Sequence, residues 1–328
     1  MTHPTLQGIE TALAKIRPHI PETPFVRSEI FSRALDANVW LKNETTTPIA
    51  SFKLRGALNA LIHAKAKGGL KGATTSSTGN HGQGAAYAAR LLGVPSDIFL
   101  PAKANPVKAA MIEAFGGRLY KIGRDIDEAK DASRQFGKDN GVFFIDDGDD
   151  LDVMEGAGTV GLEIARSLDK LDMVFVPVGG ANLIGGVATA VKAVHPKARV
   201  IGIQAKGAPT MHDSFQAKTR LERPCDSIAD GLTQRVAPQL AFDVMMKTTD
   251  EMLLSTDDEL LRAVRAIAEC AHVLVEPAGA AALCAAFARR SAIKGKTVAL
   301  ILSGANLTTE LLQKALSMEP LVALDGAK

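Results

Sequence analysis

Eight short runs rich in β-branched and other apolar residues punctuate the chain, and alanine-rich stretches with helical spacing separate most of them. The strand-like runs cover residues 39–42, 73–76, 97–100, 118–122, 142–145, 173–178, 200–204 and 297–302. Helical patterns cover 51–67, 81–92, 107–115, 126–136, 183–194 and 258–273. Strand–helix alternation over this length predicts an α/β protein with a parallel sheet, because parallel neighbours need a long crossover between them. In the first helical stretch Leu54, Leu58, Leu61 and Ile62 recur at i, i+4, i+7 and i+8, which predicts one buried face.

One interruption breaks the alternation. The stretch Asp146-Asp147-Gly148-Asp149-Asp150-Leu151-Asp152 concentrates like charges, which repel and favour a solvated loop. Because alternation resumes beyond it, it marks an expected crossing between two α/β layers that face a cleft, the usual place for a ligand at strand C-termini.

The charge balance narrows the partners. With 38 basic and 36 acidic residues the net charge is +2, so no basic field points to nucleic acid or to an anionic membrane, and a small molecule is the expected partner. No apolar run approaches the roughly 20 residues of a membrane span. The three cysteines, Cys225, Cys270 and Cys284, are too few and too far apart for a disulfide framework or a paired-ligand zinc site, so a reducing, cytoplasmic setting is expected.

Four segments carry chemistry. Ser51-Phe52-Lys53-Leu54-Arg55-Gly56 opens a helix with Ser51 as the expected N-cap and sets two cations in the first turn, where the helix dipole disfavours them. A nearby anion would relieve that cost. The bland reading is that both side chains turn into solvent. Ser76-Ser77-Thr78-Gly79-Asn80-His81-Gly82-Gln83-Gly84 and Val178-Gly179-Gly180-Ala181-Asn182-Leu183-Ile184-Gly185-Gly186 each join a strand to a helix with hydroxyl, amide and glycine residues. Free backbone N–H groups at such helix starts bind carboxylate or phosphate, although a well-capped turn would read the same way. The second lacks the Lys-Ser/Thr of a nucleotide-triphosphate loop. The run 297–302 ends at Ser303-Gly304-Ala305-Asn306, which offers a further polar contact at the same sheet edge. Gly156-Ala157-Gly158-Thr159-Val160-Gly161 matches the GxGxxG spacing of dinucleotide sites, but an acidic stretch precedes it instead of a strand, so nicotinamide binding is not expected.

Taken together, SFKLRGA at 51–57, STGNHGQG at 77–84, GGANLIGG at 179–186 and SGAN at 303–306 resemble the fold-type II pyridoxal-phosphate enzymes, within them the threonine/serine dehydratases and serine racemase. The resemblance implies two open parallel-sheet domains of the tryptophan synthase β-like fold: a large cofactor domain of residues 1–70 and 150–328, and a small substrate-cleft domain of residues 71–149. It implies that Lys53 joins pyridoxal phosphate as an imine and takes the Cα proton, with Phe52 beside the ring and Asn80 on the ring hydroxyl. Gly179, Gly180, Ala181, Asn182 and Leu183 would hold the phosphate, and Ser303 would face the pyridine nitrogen. Ser77, Thr78, Gly79 and His81 would surround the substrate carboxylate. The implied reaction converts a β-hydroxy amino acid to an α-keto acid and ammonia.

Departures qualify this. Thr78 stands where the racemases carry a serine that acts as a second base, so elimination is favoured over racemisation. Gln204, Ala208 and Thr210 replace the acidic residues that hold a cation in metal-stimulated relatives, so no metal is expected. Ala157 replaces a glutamine, and Asp146-Asp147 replaces a common His-Pro pair, which opens the preference for serine or threonine. STGNHG is also similar to dehydratases of larger substrates, phenylserine or hydroxyectoine-derived compounds. A homodimer or homotetramer is expected, and no regulatory ACT domain after a last helix that stops near Ser317.

Overall fold

The computed structural model describes residues 3–102, 106–124 and 126–322. Ten strands form two sheets, in chain order β1 (Phe25–Arg27), β2 (Asn38–Asn43), β3 (Ala73–Ser76), β4 (Ser96–Leu100), β5 (Gly117–Lys121), β6 (Phe143–Phe144), β7 (Met173–Pro177), β8 (Arg199–Ala205), β9 (Glu251–Ser255) and β10 (Thr297–Leu302). The six-stranded sheet has the order β1-β2-β10-β7-β8-β9, and the four-stranded sheet the order β5-β4-β3-β6. Among the described residues only β1 runs antiparallel to its neighbour. β4 and β7 are buried at every position, and β7 reads as an unbroken apolar run for that reason: helices cover both faces of a parallel sheet.

One core lies on each face of the larger sheet. Phe31, Phe175, Leu261, Ile267, Leu283 and Leu300 belong to one, and Met154, Val160, Val176, Ile184, Val191 and Ile301 to the other. A third core, with Leu54, Leu58, Leu61, Ala85, Ile98 and Ile112, joins the helix Lys53–Ala66 to the smaller sheet. That helix is buried from Leu54 to Leu61 around its whole circumference, not on one face, because other helices press on it from two sides. Its assigned start is also two residues later than expected. Phe52 takes the cap position, while Ser51 is buried and its Oγ accepts the Lys53 N–H at 3.4 Å.

The helix Leu151–Ser167 contains the GxGxxG run, and its glycines are contact points between helices. A Cβ on Gly156 would stand 2.6 Å from the Arg55 carbonyl oxygen, one on Gly158 3.0 Å from that of Gly186, and one on Gly161 2.7 Å from Val187 Cα. Bare backbone there lets the helices Lys53–Ala66, Leu151–Ser167 and Asn182–Val194 approach closely.

The acidic stretch is not a solvated loop. Asp146 pairs with Lys130 at 2.8 Å and Arg134 at 2.9 Å, and Asp149 accepts the Leu240 N–H at 2.8 Å. Asp150 caps the helix that follows, accepting the Asp152 N–H at 2.8 Å. Burial raises the Asp150 carboxyl to about 6, a cost that these N–H bonds reduce. Like charges are tolerated because each has its own partner.

Candidate active site

The predicted segments sit at C-terminal ends of strands, on two different sheets. Ser77 follows β3 of the small sheet, whereas Gly179 and Ser303 follow β7 and β10 of the large one. SGAN therefore shares a sheet with GGAN, as expected, while STGNHG lies on the smaller sheet. Hydrogen bonds tie the edges together. The Phe52 N–H donates to the Ser303 carbonyl at 3.1 Å, and Asn306 Nδ2 donates to Asn80 Oδ1 at 2.6 Å.

Lys53 opens its helix in this junction, only partly exposed. Its Nζ lies 5.3 Å from the centre of the Phe52 ring and donates to both oxygens of Asp147, at 2.6 and 2.5 Å. Burial alone would push the Asp147 carboxyl up; the charges of His81 and Lys53 reverse this and hold it below its ordinary value. The other cation of the turn has a different anion. Arg55 is wholly buried and donates to Glu44 (Nε–Oε2, 2.7 Å) and Glu163 (Nη2–Oε2, 2.8 Å), so neither cation turns into solvent. Arg55 anchors the helix, and Lys53 faces the cleft.

In the STGNHG turn the Gly79 N–H donates to Ser77 Oγ at 3.2 Å, and Thr78 is half-buried. Helix geometry leaves the N–H groups of Asn80, His81 and Gly82 without a carbonyl of their own helix. His81 is 2% exposed. Thr75 Oγ1 spends its hydrogen on the Ile145 carbonyl at 2.8 Å, so it must accept from His81 Nε2 at 3.0 Å, which assigns the ring hydrogen to Nε2. His81 Nδ1 then presents a lone pair with no hydrogen-bond partner, 3.6 Å from Asp147 Oδ1. Burial is the main reason the ring's pKa falls, with Asp147 opposing and Lys53 adding to the shift.

The GGAN loop is built for close approach. A Cβ on Gly179 would stand 2.4 Å from the Gly231 oxygen, and Ala181 adopts a left-handed φ of 68° before the helix Asn182–Val194. The N–H groups of Asn182, Leu183 and Ile184 lie ahead of that helix's first internal bonds. Asn182 is buried, yet neither polar atom of its side chain has a partner. Its cap position carries no side-chain acceptor, so the positive end of the helix dipole has no neutralising group of its own.

Two acidic residues here were not read as site residues from the sequence. Asp147 was hidden inside a run of aspartates. Glu276 is buried and accepts from Asn80 Nδ2 at 2.6 Å, and burial raises its carboxyl to about 7. The Glu-Pro pair that starts the helix Pro277–Ala288 was its only local signal. Gln204, one of the positions without a carboxylate, accepts the Met211 and His212 N–H groups at 2.9 and 3.0 Å and so holds the start of the helix Thr210–Ala217.

A sequence model of the family described as "Pyridoxal-phosphate dependent enzyme" matches residues 16–304. The chain belongs to this family. Among its relatives, the L-threonine ammonia-lyase of Geobacter sulfurreducens is 36% identical over 301 residues, 91% of this chain and 75% of that protein. The L-threonine ammonia-lyase of Thermotoga maritima is 33% identical over 315 residues, 95% of this chain and 78% of that protein. Maize serine racemase superposes with a TM-score of 0.90 at 29% identity, covering 96% of this chain and 97% of that one. The processed form of threonine deaminase isoform 2 from Solanum lycopersicum gives 0.88 at 32% identity, covering 94% and 91%. The fold is thus that of the fold-type II pyridoxal-phosphate enzymes, as the four motifs implied.

The residues present suit the cofactor. A dianionic phosphate matches the unneutralised helix start at 182–184 and the side-chain-free approach at Gly179 and Gly180. Asn80 has a second Nδ2 hydrogen free beside the one it gives Glu276, and Ser303 Oγ makes no hydrogen bond among the described residues.

Proposed function

We propose that this enzyme is an ammonia-lyase that converts a small β-hydroxy amino acid, threonine or serine, to an α-keto acid and ammonia. The observation that carries the reading is the position of Lys53 Nζ in the cleft, at the junction of the two sheets. The names of the two ammonia-lyase relatives support threonine as substrate.

Pyridoxal phosphate, when bound, supplies an aldehyde that joins an amine and a ring that draws electrons from an attached amino acid. The protein's share is binding, orientation and proton transfer. In this reading Lys53 Nζ would hold the cofactor at rest and, as a free amine, would take the Cα proton of the substrate. Phe52 would flank the ring, Asn80 would donate to the ring oxygen, and Ser303 Oγ would face the ring nitrogen without the charge of a carboxylate. The backbone N–H groups of Gly179, Gly180, Ala181, Asn182 and Leu183 take the phosphate. Those of the Asn80–Leu91 helix start, with the hydroxyls of Ser77 and Thr78, take the substrate carboxylate beside Gly79 and His81.

Purified protein should release keto acid and ammonia from L-threonine or L-serine, and borohydride reduction followed by peptide mapping should find the pyridoxyl group on Lys53. Loaded protein in which Lys53 is unmodified, or which releases no keto acid from any β-hydroxy amino acid, ends this reading. The likeness to maize serine racemase, with the Thr78 hydroxyl available as a second base, supports racemisation as a second reading, which chiral analysis of recovered serine tests.

The division into 1–70 with 150–328 and 71–149 belongs to the same proposal. It is supported by the two sheets drawing on separate stretches of the chain. So does a cytoplasmic homodimer or homotetramer, in keeping with Cys225, Cys270 and Cys284 forming no disulfide among the described residues. Light scattering on the purified enzyme checks the assembly. Among the described residues no helix is long and apolar enough to cross a membrane.

A further inference from the structure

Asp147 and His81 form an acceptor pair whose donor is on loan. Both Asp147 oxygens are occupied by the Lys53 ammonium, at 2.6 and 2.5 Å, and the Asp147 side chain makes no other hydrogen bond among the described residues. His81 Nδ1, 3.6 Å from Asp147 Oδ1, is an unpartnered atom on a side chain 2% exposed, and its ring is fixed through Nε2 on Thr75. Two acceptors this close repel each other unless a hydrogen or a positive charge lies between them or beside them. Here Lys53 provides the charge.

Lys53 cannot keep that role in the working enzyme, where its nitrogen is committed to the cofactor at rest and to the substrate's Cα proton once the amino acid is bound. Asp147 cannot follow it out of the cleft. Its neighbours are pinned: Asp146 by Lys130 and Arg134, Asp149 by the Leu240 N–H, Asp150 by the N–H groups it caps. At Gly148 an added Cβ would stand 2.8 Å from Pro238. Asp147 is the one aspartate of the stretch 146–150 whose side-chain hydrogen bonds, among the described residues, go only to the reactive lysine. On loading, its carboxylate stays where it is and loses its donor.

We propose that Asp147 is the specificity-determining residue of the cleft: it takes a hydrogen-bond donor or a cation from the substrate side chain and turns away side chains that carry a carboxylate. This rests on the reading that the cleft binds an amino acid. The substrate class is then narrowed to hydroxy amino acids with neutral or cationic side chains, and hydroxyaspartate falls outside it. The hydroxyl of threonine or serine satisfies the requirement. A side-chain carboxylate brings a third acceptor to a place that already has two, and pays the desolvation of a charge with nothing to offset it.

The test uses the loaded enzyme and three amino acids that lack a β-hydroxyl and are similar in size: L-aspartate, L-asparagine and L-2,4-diaminobutyrate. Their dissociation constants are read from the change in cofactor absorbance, which does not require turnover. Asparagine and diaminobutyrate should each bind at least roughly tenfold more tightly than aspartate, a difference of about 1.4 kcal/mol. In Asp147→Asn the aspartate penalty should fall to about threefold or less, because the amide offers a donor and carries no charge. Asp147→Ser gives the same comparison should the amide variant fail to load.

Aspartate binding as tightly as asparagine to the parent enzyme overturns the proposal, whatever the variants do. So does a penalty that persists undiminished in a loaded variant, which would assign the selection to another group. Keto-acid release from threonine is measured alongside. If the charge order holds and no keto acid appears, the ammonia-lyase reading has failed and the assignment of Asp147 stands; if keto acid appears without the charge order, only the assignment has failed.

Discussion

Replacing Arg55 by methionine should destabilise the enzyme more than almost any other single change to a charged residue. Arg55 donates through Nε and Nη2 to Glu44 at 2.7 and 3.0 Å, and through Nη2 and Nη1 to Glu163 at 2.8 and 3.1 Å. It also reaches Thr23 and Thr159, each at 3.0 Å. Glu163 keeps Lys42 at 2.6 Å and Arg17 at 2.7 Å when the guanidinium is gone. Glu44, fully buried, keeps only the Thr23 hydroxyl at 2.6 Å among the described residues. Adding up four charge-assisted bonds would overstate the loss, since their formation is offset by desolvation; the better guide is that orphaning one member of a buried ion pair costs roughly 3–5 kcal/mol. That is a large share of a domain's usual 5–15 kcal/mol or so. Urea unfolding of the cofactor-free protein at pH 7, followed by circular dichroism, reads it directly. The double variant Arg55→Met/Glu44→Gln removes the stranded charge as well and should recover at least about half of the loss. Acid provides a second check. Burial would raise the Glu163 carboxyl, but the charges and hydrogen bonds of Arg55 and Lys42 hold it at about 2 against an ordinary 4.5. Its contribution is therefore complete above pH 4.5 and disappears as the pH falls toward 2, so parent and Arg55→Met should converge in that window. A loss at pH 7 below about 1 kcal/mol, or a double variant no more stable than the single one, would refute the reasoning.

Gly156→Ala should lower stability by roughly 1–3 kcal/mol in a thermal melt, despite alanine's better helix propensity, because the new Cβ would lie 2.6 Å from the Arg55 carbonyl and 2.7 Å from Gly56 Cα. Glu276→Gln should leave stability unchanged below pH 4.5 and raise it, relative to the parent, as the pH climbs through 7. The sign follows from a folded value of about 7 above the ordinary 4.5: the buried carboxyl is comfortable while protonated and costs up to about 3 kcal/mol once ionised. Urea midpoints of both cofactor-free proteins between pH 4 and 8 measure this, and parallel curves would contradict it.

What the sequence made legible was local. The strands at 73–76 and 297–302 could be read to the residue, because β-branched or apolar runs end abruptly at serine-glycine turns, and those turns hold Ser77–His81 and Ser303. β1 escaped notice because it is a three-residue antiparallel edge strand whose side chains are mostly exposed, and β9 because an edge position does not demand a continuous apolar run. The partners of charged groups were out of reach. Lys53 meets Asp147 94 residues away, Arg55 meets Glu163 108 away, and Asn80 meets Glu276 196 away. Composition gives the sign of such charges but not their pairing. Two cations in a helix's first turn were legible as a demand for an anion; that the demand at 55 is met by Glu44 and Glu163, and at 53 by Asp147, is a property of the fold.

The glycine spacing at 156, 158 and 161 carries the most instructive lesson about motifs. In a dinucleotide site such glycines let a pyrophosphate approach bare backbone. Here they serve the same physical need for a different guest, the backbones of the neighbouring helices at Arg55, Gly186 and Val187. One of those helices begins at Lys53, and another begins at Asn182 beneath the anion cradle. A Cβ at Gly186 would come 2.4 Å from the Met154 carbonyl, and one at Gly84 3.2 Å from that of Lys53, so the helix that follows STGNHG is held to the same block. Contacts between backbones have no rotamers to relax, which makes them stiffer than contacts between side chains. The Lys53 amine and the loop proposed to take the phosphate are thus set on rigid helices that both pack against Leu151–Ser167, and reactive groups must be held to within about 0.5 Å for efficient chemistry. A motif that failed as a cofactor fingerprint fixes the relative position of the two groups proposed to hold the cofactor.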